Sequence, residues 1–276
     1  MNPAPGDARA DQATGRRIII GTSGYSFADW VGPFYPQGTK AADFLSFYAR
    51  HFDAVEVNAT YYRVPDAGML ERMEKKTPDG FRFVVKLYHA MTHESSLDPA
   101  LYREFLSALR PLKDAGKYDG LLAQFPWAFK RTPDHRRHLK AMRDLLAGEP
   151  LFVEFRHDSW LTPELEPSLR EHRIGYCAVD EPQLAGLVPP VTMVTAEDAY
   201  VRFHGRNAQT WWGREGGDRY DYDYREDELK EWVKKVTALA EQARRTYLFF
   251  NNCHAGQAAR NAKLMQELLR QQNLPA

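Results

Sequence analysis

Short runs of apolar residues, many of them β-branched, recur along the chain, and most are followed by a segment whose apolar residues have helical spacing. The runs predict strands at residues 17–23, 53–62, 81–89, 119–126, 151–156, 175–180, 199–205 and 246–252. The intervening pattern predicts helices at residues 39–52, 66–76, from Asp98 and Pro99 onward, 133–147, after Pro163 to about Arg173, 226–243 and 257–271.

Strands that alternate with helices pair in parallel through right-handed crossovers. Eight such units in a chain of 276 residues predict an α/β protein with a closed (β/α)8 barrel of the TIM type. The main alternative is an open, doubly wound sheet. The barrel is favoured because GTSGY, after the first strand, lacks the glycine spacing of a dinucleotide-binding loop.

Two connections depart from this regular pattern. The segment before the seventh strand contains Pro189 and Pro190 and has no helical period, so the sixth helix is predicted to be degenerate. After the seventh strand, residues 205–227 form a long insertion rich in glycine and aromatic residues. Loops of this length are uncommon unless they have a function.

Composition and charge narrow the class of protein. Residues 1–15 lack the apolar core of a secretory signal and are predicted to be a disordered tail, with a single barrel domain at residues 16–272. No segment has the roughly 20 apolar residues of a membrane span. With 37 basic and 37 acidic residues, the chain has no global attraction to nucleic acid. Cys177 and Cys253 lie in apolar stretches, as reduced buried thiols do, which favours a cytoplasmic location.

The stretch LFVEFRHDSW, at residues 151–160, combines a strand pattern with charged residues. Side chains alternate along a strand, so Glu154 and Arg156 share one face while Val153 and Phe155 share the other. The apolar face should contact the helices. Glu154 and Arg156 are therefore expected to point into the barrel near its C-terminal end, where the active sites of such barrels lie.

The same alternation assigns polar side chains to the C-terminal ends of seven strands. They are Glu56 and Asn58, Lys86, Gln124, Glu154 and Arg156, Asp180, Arg202 and His204, and Asn251 or Asn252. One interpretation is a closed ion-pair network, with three basic and three acidic residues, that binds nothing. Burying six charges for structure alone is costly, so a ligand site is favoured.

The loops after the seventh and eighth strands suggest an anionic ligand. Arg202, His204 and Arg206 cluster there, and the last helix begins near Gly256. Barrels often bind phosphate at this position, and guanidinium groups bind phosphate or carboxylate in a bidentate manner. Aromatic residues that could stack a sugar or a base also follow the strand ends: Tyr25, Trp30, Tyr61, Tyr62, Trp127, Trp160, Trp211 and Trp212.

Two chemistries depend on paired acidic groups. Glu56 and Glu154 could be the two carboxylates of a glycoside hydrolase, which their separation would decide. Glu154, Asp180 and His204, with Glu56, could bind a divalent metal. The sequence contains no close pair of ligands such as HExxH, and the neighbouring arginines would repel a cation.

A third chemistry, which is favoured, needs no cofactor. Glu154 or Asp180 would be the general base, while arginine and lysine side chains hold the anion and stabilise developing charge. A cysteine nucleophile is disfavoured, because Cys253 and His254 are adjacent on an extended segment and point apart. Cys177 is predicted to be a buried residue that faces outward.

Five ordered motifs together resemble the domain of unknown function 72 family: IGTSGYSFADWVGPFYP, VEVNATYYRVP, VEFRHDSW, YVRFHGRN and FNNCHAGQAARNA. The resemblance runs from about Ile18 to Leu269. It implies a single barrel of eight parallel strands, similar in outline to the endonuclease IV and xylose isomerase barrels, with no established reaction. The positions that match the family pattern are Gly21, Thr22, Ser23, Gly24, Tyr25, Glu56, Asn58, Tyr61, Tyr62, Lys86, Glu154, Arg156, Trp160, Arg202, His204, Gly205, Asn251 and Asn252.

The sequence therefore predicts an enzyme, a hydrolase or an isomerase or lyase, that binds a small anionic and phosphate-bearing molecule. The predicted catalytic residues are Glu154, Arg156, Lys86 and Asp180. The predicted ligand-binding residues are Glu56, Asn58, Tyr61, Arg202, His204, Arg206, Asn251 and Asn252. The alternatives are a metal-dependent phosphodiesterase or isomerase, and a non-enzymatic barrel that binds nucleic acid or acts as a scaffold. The oligomeric state stays open.

Overall fold

Eight parallel strands form a closed barrel in the order of the sequence, as predicted. The computed structural model describes residues 17–213, 218–272 and 274, so the predicted tail at residues 1–15 lies outside the described residues. The strands are β1 (Arg17–Ser23), β2 (Ala54–Val57), β3 (Arg82–Lys86), β4 (Tyr118–Gln124), β5 (Leu151–Glu154), β6 (Ile174–Asp180), β7 (Ala199–Phe203) and β8 (Arg245–Phe250).

Helices surround the barrel. They are α1 (Phe44–Tyr48), α2 (Ala67–Glu74), α3 (His89–Thr92), α4 (Pro99–Ala108), α5 (Arg110–Asp114), α6 (Pro133–Leu145), α7 (Leu165–Glu171), α8 (Glu226–Ala240) and α9 (Gln257–Gln271). The helix predicted at residues 39–52 is reduced to α1 and a preceding 3-10 turn. Residues 181–198, all of which are described, contain no helix, which confirms the degenerate sixth unit. Within the described ranges no helix is long and apolar enough to cross a membrane.

The start of α4 follows from its capping residue. Asp98 has an extended backbone, and its Oδ1 accepts a hydrogen bond from the Ala100 amide at 2.9 Å, while Pro99 occupies the first helical position. An Asp98→Ala substitution should lower the free energy of unfolding by about 1 kcal/mol, because it leaves that amide without its cap. Urea denaturation would measure the change, and an unchanged midpoint would contradict this assignment.

The barrel interior is filled in layers. Near the N-terminal ends of the strands, Asp119 accepts hydrogen bonds from Tyr247 at 2.6 Å and from Arg245 at 2.8 Å. Above this pair, Tyr200 packs against Phe152 and Phe249, with ring centroids 4.7 and 5.3 Å apart. The charged residues at the C-terminal ends therefore rest on a packed aromatic layer, so the barrel has no central pore at this level.

The predicted alternation is right for β5 and wrong for β6. On β5, Phe155 faces outward and stacks on Trp160 with centroids 4.1 Å apart, while Glu154 faces the interior. On β6, Cys177 contacts Glu154 inside the barrel, and Asp180 faces the helices instead. The residues on both faces of β6 are buried and mostly apolar, so the alternation of residue types does not indicate which face points into the barrel.

Candidate active site at the C-terminal mouth of the barrel

Arg202 lies at the centre of the charged layer. Its guanidinium donates to Glu56 Oε1 at 2.7 Å and to Glu154 Oε2 at 2.6 Å, and all three side chains are buried. Tyr200 donates a further hydrogen bond to Glu56 Oε2 at 2.7 Å. Both carboxylates are fully buried with oxygens directed at Arg202 and Tyr200, so neither is exposed to the scissile bond of a glycoside in this structure.

Arg156 extends this cluster towards β6. It pairs with Glu154 and donates to Glu181 Oε2 at 3.0 Å. We call Glu56, Glu154, Arg156, Glu181 and Arg202 the central ion-pair network. Glu181 was not among the predicted site residues, although a second carboxylate directly after Asp180 at a strand end was a usable signal.

Glu154 and Glu181, two carboxylates of the network, differ in protonation near neutral pH. Burial opposes the ionisation of Glu154, but Arg156 and Arg202 together hold its pKa well below the usual range. Burial raises the pKa of Glu181 to about 8 despite the neighbouring Arg156. Glu154 is thus a permanent anion near neutral pH, which makes it a poor general base.

His204 links the network to β8. Its Nε2 lies 3.2 Å from Glu154 Oε1, and its Nδ1 lies 3.0 Å from Asn251 Nδ2. Burial, reinforced by Arg156, lowers the pKa of His204 to about 3. A neutral ring with its proton on Nε2 directs that proton towards Glu154 and leaves Nδ1 to accept from Asn251, so His204 does not shuttle protons at neutral pH.

Lys86 has a different environment from the arginines. Its ammonium donates to Gln124 Oε1 at 2.8 Å and lies 4.4 Å from the centroid of the Tyr61 ring. It forms no ion pair with any described residue. Burial, together with the charge of Arg202, lowers the pKa of Lys86 to about 7. Lys86 is therefore able to exchange a proton near neutral pH.

A cavity of about 290 Å³, the mouth cavity, opens above the network. Its charged and polar walls are Lys86, His93, Gln124, Arg156 and Arg219. Its remaining walls are Tyr61, Tyr62, Pro126, Trp127, Leu187, Trp211, Trp212 and Tyr220. None of the described residues that line it is an aspartate or a glutamate, so its walls carry positive charge next to aromatic surface.

The long insertion after β7 supplies one side of this cavity. Trp211 is buried and packs against Arg156, with the guanidinium 5.8 Å from its ring centroid, while Trp212 contacts Trp127 at 5.6 Å. Arg219 lies 5.9 Å from the ring of Tyr220. The insertion thus covers the mouth of the barrel, which accounts for its aromatic composition. Residues 214–217 lie outside the described part.

Three predicted site residues lie elsewhere. Asp180 accepts hydrogen bonds from Arg206, from Tyr224 at 2.6 Å and from Trp232 at 2.5 Å, on the outer side of the barrel. Asn252 donates to the Tyr222 carbonyl at 2.8 Å and to Asn261 at 2.7 Å. All three, Asp180, Arg206 and Asn252, anchor the insertion and the last two helices, so the structure does not bring them to the mouth cavity.

The predicted phosphate position after β7 and β8 is filled by protein groups. Arg202 directs both terminal nitrogens at carboxylates, and Arg206 pairs with Asp180 at 2.8 Å. Next to the start of α9, the Ala255 amide donates to Asp29 at 2.7 Å. The positive charge at the mouth cavity lies instead at the ends of β3 and β5, on Lys86 and Arg156, both of which were among the predicted catalytic residues.

The metal alternative required Glu56, Glu154, Asp180 and His204 to converge. Asp180 lies on the opposite face of its strand, and Glu56 and Glu154 both direct an oxygen at Arg202. Among the described residues, no group of three or more His, Cys, Asp or Glu side chains has the arrangement of a metal site. The predicted donor set is therefore not assembled.

The remaining predicted residues lie beside the network or the cavity. Tyr61 lines the cavity, and Asn58 directly follows β2, where its Oδ1 is buried without a hydrogen-bond partner in the described ranges. Cys177 and Cys253 are free, and burial raises the pKa of both thiols. Neither sulfur is thus a nucleophile near neutral pH.

Together these features define a TIM barrel whose C-terminal mouth contains a small, positively charged cavity above an ion-pair network. The chain belongs to the family described as "Protein of unknown function DUF72", whose model matches residues 19–276. The resemblance seen in the sequence is thereby confirmed.

Relatives and solved structures agree with this assignment. UPF0759 protein YunF of Bacillus subtilis is 34% identical over 269 residues, covering 91% of this chain and 94% of that protein. UPF0759 protein YecE of Escherichia coli K12 is 27% identical, covering 92% and 93%. The crystal structure of a DUF72 family protein from Thermotoga maritima has a TM-score of 0.86 and 40% identity, covering 92% of this chain and 99% of that one.

Proposed function

We propose that the mouth cavity binds a small anionic molecule and that Lys86 transfers a proton to or from it. The observation that carries this proposal is the composition of the cavity wall: Lys86, Arg156 and Arg219 line it, while none of the described lining residues is acidic. A phosphate or carboxylate group would be attracted to such a wall and hydrogen-bonded by it.

A second cavity, at the opposite end of the barrel, is a weaker candidate for the anion site. A larger cleft of about 1130 Å³ lies there, between the segments that precede β5 and β7. Its walls include Glu149, Glu197 and Asp198 as well as arginines, so both charge signs are present. Active sites of this fold lie at the C-terminal ends of the strands, and of these two cavities the mouth cavity is the one at that end.

The enzymatic part of the proposal depends on which residues at the mouth of the barrel keep a fixed charge and which can titrate. Glu154, held as an anion, fixes Arg156 and Arg202, while Lys86 keeps a titratable amine at the cavity wall. Such a division suits a hydrolase, isomerase or lyase that needs a base near neutral pH and a cationic wall for developing charge. Glu154 is thus proposed as a structural anion, and the base is Lys86.

Sulfate is a suitable probe because its charge is constant between pH 6 and 9. We expect sulfate affinity at fixed ionic strength to fall as pH rises through about 7, since Lys86 loses its charge there. Lys86→Met should weaken binding at pH 6 by roughly tenfold or more, the effect of one charge-assisted hydrogen bond, and should remove the change in affinity between pH 6 and 7.5. Above that range the ionisation of Glu181 beside Arg156, with a pKa of about 8, should lower the affinity in both proteins. Tryptophan fluorescence would report binding, because Trp127, Trp211 and Trp212 line the cavity.

The matched control is Lys130→Met. Lys130 is exposed, lies over the Trp127 ring at 4.7 Å and is not among the residues that line the cavity, so sulfate affinity should stay within about twofold of the unmodified protein. Equal affinity in the Lys86→Met and Lys130→Met variants would refute the proposal. Tight binding of an oligonucleotide with a steep salt dependence would instead favour the nucleic-acid alternative.

We also propose a cytoplasmic location. The two cysteines are free thiols, the state that a reducing compartment maintains.

A further inference from the structure

Lys86 differs in its bonding from Lys117, another largely buried lysine. The Lys117 ammonium pairs with Glu74 Oε1 at 2.9 Å and donates to the carbonyls of Glu74 and Thr77, at 2.9 and 2.8 Å. Those contacts hold Lys117 as a cation that joins two segments. Lys86 has only Gln124 and the Tyr61 ring as partners among the described residues, so it is not held as a structural cation.

The surroundings of Lys86 match the needs of an amine nucleophile. Arg156 and Arg219 line the same cavity and can hold an anionic group of the substrate. Arg156 remains available because only Glu154 is a permanent anion beside it, whereas Glu181, with a pKa of about 8, is largely protonated at pH 7. Tyr61 lies beside the amine, and burial raises the pKa of its hydroxyl, which therefore retains a proton for donation. The cavity volume of about 290 Å³ is at the lower end for ligand sites, so it fits a molecule of few carbon atoms.

We propose that Lys86 forms an imine with a small carbonyl compound that carries a carboxylate or phosphate group. The inference rests on the proposed function, because the anionic group is what the arginines would hold. It names the substrate class of that site: a keto acid or a phosphorylated ketone or aldehyde.

The chemistry balances without a cofactor. The neutral Lys86 amine attacks the carbonyl carbon, a C–N bond forms, and the carbonyl π electrons move to oxygen, which takes a proton from an acid such as Tyr61. The nitrogen then returns a proton to the Tyr61 oxygen, and Tyr61 donates it to the new hydroxyl. The nitrogen lone pair forms the C=N bond as the C–O bond breaks and water leaves, and Tyr61 regains its proton from solvent. The resulting protonated imine is an electron sink next to the substrate carbon, which suits lyase or isomerase chemistry.

The pH dependence follows from the charges that face Lys86. Arg202 and Arg156 oppose its protonation, whereas Glu56 and Glu154 favour it, and burial decides the balance. His93 lines the same cavity, but burial lowers its pKa to about 4, so it is neutral near pH 7. With a pKa of about 7, half of the amine is neutral at pH 7. An ordinary exposed lysine is neutral to roughly one part in a few thousand at this pH. The neutral, reactive fraction of the amine at pH 7 is thus about a thousandfold larger for Lys86 than for a surface lysine, and we expect Lys86 to form imines correspondingly faster.

The test is trapping with sodium cyanoborohydride. The full-length protein is incubated with pyruvate, with dihydroxyacetone phosphate, or with acetone as the uncharged comparison, and intact mass and peptide maps are recorded. Reduction of the imine should add the mass of the probe less one oxygen atom, on Lys86 alone. We expect trapping with one of the anionic probes, at least tenfold faster than with acetone, and a rise in rate from pH 5.5 to 7.5.

Two variants make the result specific. Lys86→Arg keeps the charge but has no nucleophilic amine, so the adduct should disappear, while Lys130→Met should be trapped like the unmodified protein. The inference is overturned if no probe modifies Lys86, or if Lys86 reacts no faster than exposed lysines. Sulfate binding measured on the same sample separates the two proposals: binding without trapping removes only the imine step, and loss of both removes the anion site as well.

Discussion

Replacement of Arg202 by methionine is expected to lower the free energy of unfolding by about 3–5 kcal/mol. Arg202 is about 1% exposed and is the common partner of Glu56 and Glu154 inside the barrel. Without it, two carboxylates remain buried, and only Glu154 keeps a second arginine. Urea denaturation followed by circular dichroism would measure the change.

The control for this experiment is Arg110→Met. Arg110 pairs with Asp114 at 3.3 Å on the surface of α5, and its loss should change stability by less than about 0.5 kcal/mol. Adding Glu56→Gln and Glu154→Gln to the Arg202→Met chain should recover part of the loss, because neutral amides need no counter-ion. An Arg202→Met protein as stable as its Arg110→Met counterpart would show that the network does not hold the barrel together.

Replacement of Asp180 by alanine is expected to cost about 3 kcal/mol of stability and to leave sulfate binding unchanged. The carboxylate accepts hydrogen bonds from Arg206 at 2.8 Å, Tyr224 at 2.6 Å and Trp232 at 2.5 Å, so three donors on separate segments lose their acceptor. Tyr224 and Trp232 are buried, so both donors lose their partner away from bulk water. Chemical denaturation and a sulfate titration on the same sample would test both halves.

Asp114→Ala is the comparison, since Asp114 is an exposed partner in a surface pair. It should be close to the unmodified protein in both measurements. A normal stability combined with lost sulfate binding in Asp180→Ala would return Asp180 to the site, as the sequence analysis first predicted. The pair of measurements thus distinguishes an anchoring residue from a ligand-binding one.

The sequence by itself determined the architecture. Eight strand runs separated by helical spacing are a property of the local pattern, and each predicted strand overlaps an observed one. Polar residues at the C-terminal ends, such as Glu154, Arg156 and Arg202, were identified because alternation on β5 and β7 separates polar from apolar faces. The absent sixth helix was likewise readable from Pro189 and Pro190.

Tertiary structure alone decided which of those polar groups pair with each other and which reach the cavity. Asp180 and Glu181 are adjacent acidic residues, yet Asp180 accepts a hydrogen bond from Trp232 of α8 and Glu181 accepts one from Arg156. A charged side chain is available for chemistry only when its partners leave it incompletely paired, and those partners come from strands and loops distant in the sequence. The sequence therefore indicated charged strand ends. Packing decided that Arg202 is buried between two carboxylates and that Lys86 lines the cavity.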